Sequence, residues 1–125
     1  MAKREFIVHP TRADMPFSAA VRAGDFIFVS GTTGTADAQG NPVKGIEAQT
    51  IQCLENINQV LQTAGASLSD VVKATVFLKN VDDFAKMNEV YVKYFPESRP
   101  ARSTVITGLV RPDMLVEIEC IVYKA

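Results

Sequence analysis

Between Ile46 and Ala64 the apolar residues Ile46, Ile51, Leu54, Ile57, Leu61 and Ala64 recur at helical spacing, and Gly65 follows as a natural stop. Other stretches alternate instead. SAAVRAGDFIFVSG reads as a hairpin, with Ala23-Gly24-Asp25 turning between strands at 18–22 and 26–30, and KREFIV at 3–8 precedes it as a short strand. GTTGTADAQGNPVKG is a loop by composition. DVVKATVFLK alternates so that Val72, Ala74, Val76 and Leu78 share one face. Asn80 is placed to cap a second helix with Asp83 three residues on; Phe84, Met87, Tyr91 and Tyr94 form its stripe, and Pro96 marks its end. Strands at 101–107 and 114–123 complete a β-β-α-β-α-β-β order, which predicts an α+β fold with helices on one face of a mixed sheet.

The last strand, MLVEIECIVYK, changes that picture. Met114, Val116, Ile118, Cys120 and Val122 are all apolar and belong under the helices, whereas the alternate positions read Leu115, Glu117, Glu119, Ile121 and Tyr123. Two carboxylates among apolar residues make neither a solvent face nor a core. A subunit interface explains the mixture.

The 125 residues are enough for one domain spanning 1–125, and 47% apolar with 22% charged residues is the balance of a water-soluble protein. A net charge of −1 offers no basic field for nucleic acid or an anionic membrane, and no apolar run spans a bilayer. MAKREFIVHP lacks the apolar core of a secretory signal, and Cys53 and Cys120 lack CxxC spacing, so a reducing cytoplasm is expected.

Motifs for nucleotide cofactors are absent, and the single histidine, His9, cannot supply a zinc site or a histidine-based triad. Neither metal nor cofactor is expected. What remains is arginine, glutamate, hydroxyls and backbone amides. RPARSTV, residues 99–105, opens a strand with arginine, whose charge cannot be shed. Arg102, on one face with Thr104 and Ile106, either pairs with Glu117 or Glu119 or grips a substrate carboxylate while Glu119 orients a water. Asn88 interrupts the second helix's apolar stripe, as a core amide or a ligand contact. At Ser30-Gly31 the strand gives way to the loop, and a glycine there permits either a turn or a close backbone approach.

PARSTVITGLV at 100–110 followed by VEIE at 116–119 resembles the signature of the reactive-intermediate deaminase (Rid/YjgF) family. The likeness extends to FVSG at 28–31, to DVVKATVFLKNVDDFAKMNEVY at 70–91 and to the overall length. It implies a chorismate-mutase-like fold and a homotrimer with a central barrel and clefts between subunits. It also implies hydrolysis of small 2-imino acids or their enamine tautomers, such as 2-iminobutanoate and 2-iminopropanoate/2-aminoacrylate, to 2-keto acids and ammonia. Carried over by residue, the carboxylate-binding arginine falls on Arg102, the water-orienting glutamate on Glu119, and the cleft positions on Ser30, Gly31 and Asn88. Three positions depart from the pattern. Phe17 replaces a tyrosine of the cleft wall, Thr104 replaces a cysteine, and Arg99 replaces an aromatic, which brings either an additional cation to the cleft or a solvated loop residue. A related catabolic enamine, such as an aminomuconate or aminoacrylate derivative, and non-catalytic binding of small carboxylates are the alternatives. RNA cleavage fits poorly with a pI near 5.8 and one histidine.

Overall fold

A computed structural model describes residues 3–9 and 13–125. The strands are β1 (Arg4–Ile7), β2 (Ala20–Ala23), β3 (Phe26–Thr33), β4 (Val71–Leu78), β5 (Ala101–Ile106) and β6 (Val116–Tyr123); the helices are α1 (Ile46–Thr63) and α2 (Phe84–Tyr94). One six-stranded sheet runs in the order β1-β2-β3-β6-β4-β5. All neighbours are antiparallel except β4 and β5, which α2 connects in parallel. The α+β expectation therefore holds.

The core lies between the helices and one face of the sheet. Ile27 and Val29 of β3, Ala74, Val76 and Leu78 of β4, and Val116, Ile118, Cys120 and Val122 of β6 supply the sheet side. Leu54, Ile57 and Leu61 of α1 and Met87 of α2 cover them. Helix α1 ends at Gly65 in a Schellman arrangement: Gly65 N–H donates to Gln62 O and Ala66 N–H to Leu61 O, with Gly65 at φ 77°.

Several details depart from the sequence pattern, each for a local reason. Val71, not Val72, is buried, because β4 carries an irregularity opposite β6 between Val71 and Lys73 that turns Val72 outward. Ile51 is exposed, and its place on α1's inner face is taken by Gln49 and Thr50. Gln49 is buried because its amide is saturated: it donates to Val43 O and Asp113 O and accepts from Leu115 N–H. Leu115 N–H is thus spent on Gln49 while its carbonyl accepts from Lys79 N–H, β6 begins at Val116, and Leu115, expected on the open face, packs against the core instead. Asn80 makes no side-chain cap and opens a single 3₁₀ turn at Val81–Asp83, whereas the capping box of this chain is Ser67 with Asp70. Strand β3 does not stop at Ser30-Gly31 but continues to Thr33 through a bulge between Val29 and Thr32 opposite β6.

The sheet's other face is uncovered. Phe26, Phe28, Val105 and Tyr123 lie there 43–48% exposed, with Glu117 and Glu119 between them in the register.

Candidate functional site

Strand β5 is the sheet edge, and its register sets where its side chains point. Arg102 lies opposite Ala74 and Thr104 opposite Val76, both fully buried positions of β4, so Arg102 and Thr104 face α2. The Arg102 guanidinium sits 4.7 Å from the ring centre of Tyr91 and 5.8 Å from that of Phe84, with Nη1 4.0 Å from Met87 Sδ. This explains how a half-buried arginine is tolerated at a strand opening: aromatic faces and a thioether receive it.

No carboxylate does. Among the described residues the ion pairs are Arg111–Asp113 and Lys124–Asp70, so the pairing of Arg102 with Glu117 or Glu119 does not form within one chain. Two further polar atoms beside it are buried without partners, the Tyr91 hydroxyl and Thr104 Oγ1. Burial pushes the Tyr91 phenol up to about 12, against the opposing pull of Arg102, so it stays a neutral donor at neutral pH. A cavity of about 330 Å³ opens at this point, lined by Asn88, Tyr91, Arg99, Pro100 and Arg102. It is a cationic pocket with no acidic lining residue.

A second cavity of about 600 Å³ lies beside the β3 bulge, lined by Phe17, Gly31, Asn56, Arg111, Met114 and Glu117 among others. At Gly31 the Glu117 carboxylate lies across the bare backbone, where an added Cβ would meet Glu117 Oε2 and push the carboxylate aside. The Ser30 hydroxyl is already engaged, donating to Ser18 O at 2.7 Å, and Ser30 N–H donates to Ala19 O. Ser30 therefore ties down the segment that carries Phe17 and does not line the cavity. Thr32 Oγ1 closes the bulge on Ser30 O at 2.8 Å.

The residues expected to form one site are thus divided. Arg102, Asn88 and Thr104 gather at the β5 edge, and Phe17 and Gly31 at the bulge. Glu119 lines neither cavity; it lies opposite Thr75 on the open face. Glu117, expected as an ion-pair partner of Arg102 or an interface residue and not as the water-orienting carboxylate, stands at Gly31. The signal for it was present, since Glu117 and Glu119 share the alternation of β6, but only the bulge in β3 distinguishes them. Tyr91 was assigned to packing and also forms the wall over Arg102. The described residues hold no cluster of potential metal ligands. The two cysteines, Cys53 and Cys120, are buried and unbridged, and burial, with Glu119 nearby, pushes the Cys120 thiol up to about 12.

Comparison with known proteins agrees with this architecture. The family model described as Endoribonuclease L-PSP matches residues 8–124. A RutC family protein of Pyrococcus horikoshii is 52% identical over 110 residues, 87% of each chain. Reactive Intermediate Deaminase A, chloroplastic, of Arabidopsis thaliana is 41% identical over 107 residues, 85% of this chain and 57% of the plant protein. A crystal structure of a Rid family member of unknown function from Yersinia pestis superposes with a TM-score of 0.87 at 32% identity, covering 97% of this chain and 99% of that one.

Proposed function

The chain belongs to the Endoribonuclease L-PSP family, whose members include a reactive intermediate deaminase, and from that premise we propose that it hydrolyses small 2-imino acids and their enamine tautomers to 2-keto acids and ammonia. The observation that carries this reading is Arg102: a half-buried guanidinium between aromatic rings, facing a cavity, with no carboxylate of its own chain. A planar fork held in that way suits a carboxylate, which it can bind with two parallel bonds. The unpartnered hydroxyls of Tyr91 and Thr104 are available beside it.

The second half of the site is Glu117 over Gly31. In this reading the water-orienting role, assigned from the family pattern to Glu119, passes to Glu117, because Glu117, unlike Glu119, lines a cavity. Arg102 faces the helices and Glu117 faces away from them, so the two halves meet when the β5 edge of one subunit abuts the bulge of a neighbour. A homotrimer closed by the uncovered apolar sheet face, with sites between subunits, satisfies this requirement.

The chemistry needs few groups. A protonated imine is electrophilic at C2; Arg102 fixes the carboxylate, and Glu117 takes a proton from water as its oxygen adds to that carbon. The proton then passes to the nitrogen, and the C–N bond breaks as the new hydroxyl gives its proton to Glu117 and becomes the carbonyl. Ammonia leaves, taking up that proton as ammonium and freeing the 2-keto acid. Imines hydrolyse unaided, so each tenfold of acceleration asks for only about 1.4 kcal/mol.

2-Iminobutanoate generated by an amino-acid oxidase in the presence of semicarbazide tests this. The protein should suppress trapping of the imine in favour of the keto acid. Trapping unchanged at saturating protein would remove the deaminase reading and leave carboxylate binding without turnover. Cleavage of an RNA substrate would instead support the activity in the family's description.

A further inference from the structure

Arg99 lines the same cavity as Arg102, and with it we propose that the site is built for 2-imino acids carrying a second anionic group, Arg102 taking the carboxylate next to the reacting carbon and Arg99 the distal anion. The substrate class rests on the deaminase reading; the dianion preference does not. Four observations support it. The cavity is lined by two arginines, the exposed Arg99 and the half-buried Arg102, and by no acid, its other walls being Asn88, Tyr91, Val92, Phe95 and Pro100. Neither guanidinium is in an ion pair, the described pairs being those of Arg111 and Lys124. The Tyr91 hydroxyl at this wall is buried, at 7% residue exposure, and unpartnered.

The fourth observation concerns the backbone. Pro100 separates Arg99 from the strand; a residue before proline is held in the extended region, and the proline itself has a fixed φ. Arg99 N–H also donates to Glu97 O at 3.0 Å. The Arg99 side chain is therefore launched from a stiffened segment three residues before Arg102 rather than from a free loop tip. Two like charges sharing one cavity repel, and a single carboxylate offsets only one of them. A dianion offsets both.

The shared chemistry is a second anion, either a carboxylate or a phosphate. Calorimetric titration of the intact oligomer with the corresponding 2-keto acids separates them: 2-oxopentanoate carries one charge, 2-oxoglutarate has the same carbon count with a second carboxylate, and 3-phosphohydroxypyruvate carries a phosphate. We expect 2-oxoglutarate to bind about tenfold or more tighter than 2-oxopentanoate, and Arg99→Gln to remove most of that ratio. Arg99→Lys should keep part of it, because the charge remains while the fork is lost. Tighter binding of the phosphate compound assigns the distal group to phosphate. Equal affinities for mono- and dianionic acids, or a preference that survives Arg99→Gln, would overturn the proposal. The same comparison by turnover of the two imines separates the readings: no turnover of either, with the binding ratio intact, removes the deaminase and keeps the dianion site.

Discussion

Arg102 and Glu119 stand on opposite faces of one sheet. Ala74 of β4 lies opposite Arg102 on one side and Cys120 on the other, while its neighbour Thr75 lies opposite Ser103 and Glu119. Side chains one residue apart in register point to opposite faces. A single chain therefore cannot bring the two together, as an ion pair or as a catalytic couple.

The stability of Arg102→Ala follows from that geometry. A buried arginine that neutralised a glutamate would cost about 3–5 kcal/mol to remove. Arg102 instead lies over the rings of Tyr91 and Phe84, and cation–ring contacts are worth about 0.5–1 kcal/mol each. Urea titration should show a loss of about 1–2 kcal/mol at most, while turnover is abolished. Arg102→Lys should also fail to turn over substrate.

Two glycines separate site geometry from packing. At Gly31 an added Cβ meets the mobile end of Glu117, but at Gly34 it meets backbone atoms of Gln49 and Cys53 in α1. Gly31→Ala should cost less than about 1 kcal/mol and still lower turnover at least tenfold, by displacing the carboxylate. Gly34→Ala should cost about 1–3 kcal/mol, as overpacking does. Melting curves and kcat of the two variants check this.

Alkaline pH should destabilise the protein. Tyr91, Tyr94 and Cys120 all titrate higher in the folded protein than their ordinary values of 10, 10 and 9, each at about 12 and chiefly through burial. Between roughly pH 9 and 12 the unfolded chain has lost these protons and the folded chain keeps them, so stability is complete below that window and falls as pH rises through it. Denaturant midpoints at pH 8 and pH 11 should differ accordingly. The loss should shrink in Cys120→Ala and in Tyr91→Phe.

Much of this was legible in the sequence. The periodicities of residues 46–64 and 114–123 place α1 and β6 because burial of one face fixes them. What the pattern missed involves contacts that alternation does not encode. Gln49 reads as a surface residue until three backbone partners from distant loops satisfy it. The bulge that ends at Thr32 adds a residue to β3 without a signal in hydrophobicity, and the choice between Glu117 and Glu119 depends on it. Arg102 stands out in the sequence as a residue whose charge must be answered, but its separation from both glutamates is a matter of strand register, which one sequence does not fix.

The two carboxylates of β6 should behave differently. Glu117→Gln should keep affinity for a 2-keto acid product and lose turnover, since the amide cannot take a proton from water. Glu119→Gln should retain turnover. The opposite result would return the role to Glu119.

Mixing two inactive variants tests the composite site most directly. Arg102→Ala and Glu117→Gln are each expected to be inactive as homo-oligomers. Unfolded together in equal amounts and refolded, they form mixed rings in which an interface between subunits has one chance in four of joining an intact Arg102 to an intact Glu117, so turnover should recover to about a quarter of the original. A site contained in one chain gives none, because every chain lacks one of the two residues. Recovery near that fraction is the result predicted here; mixed oligomers that form, as shown by a tag on one variant, yet remain inactive would contradict it.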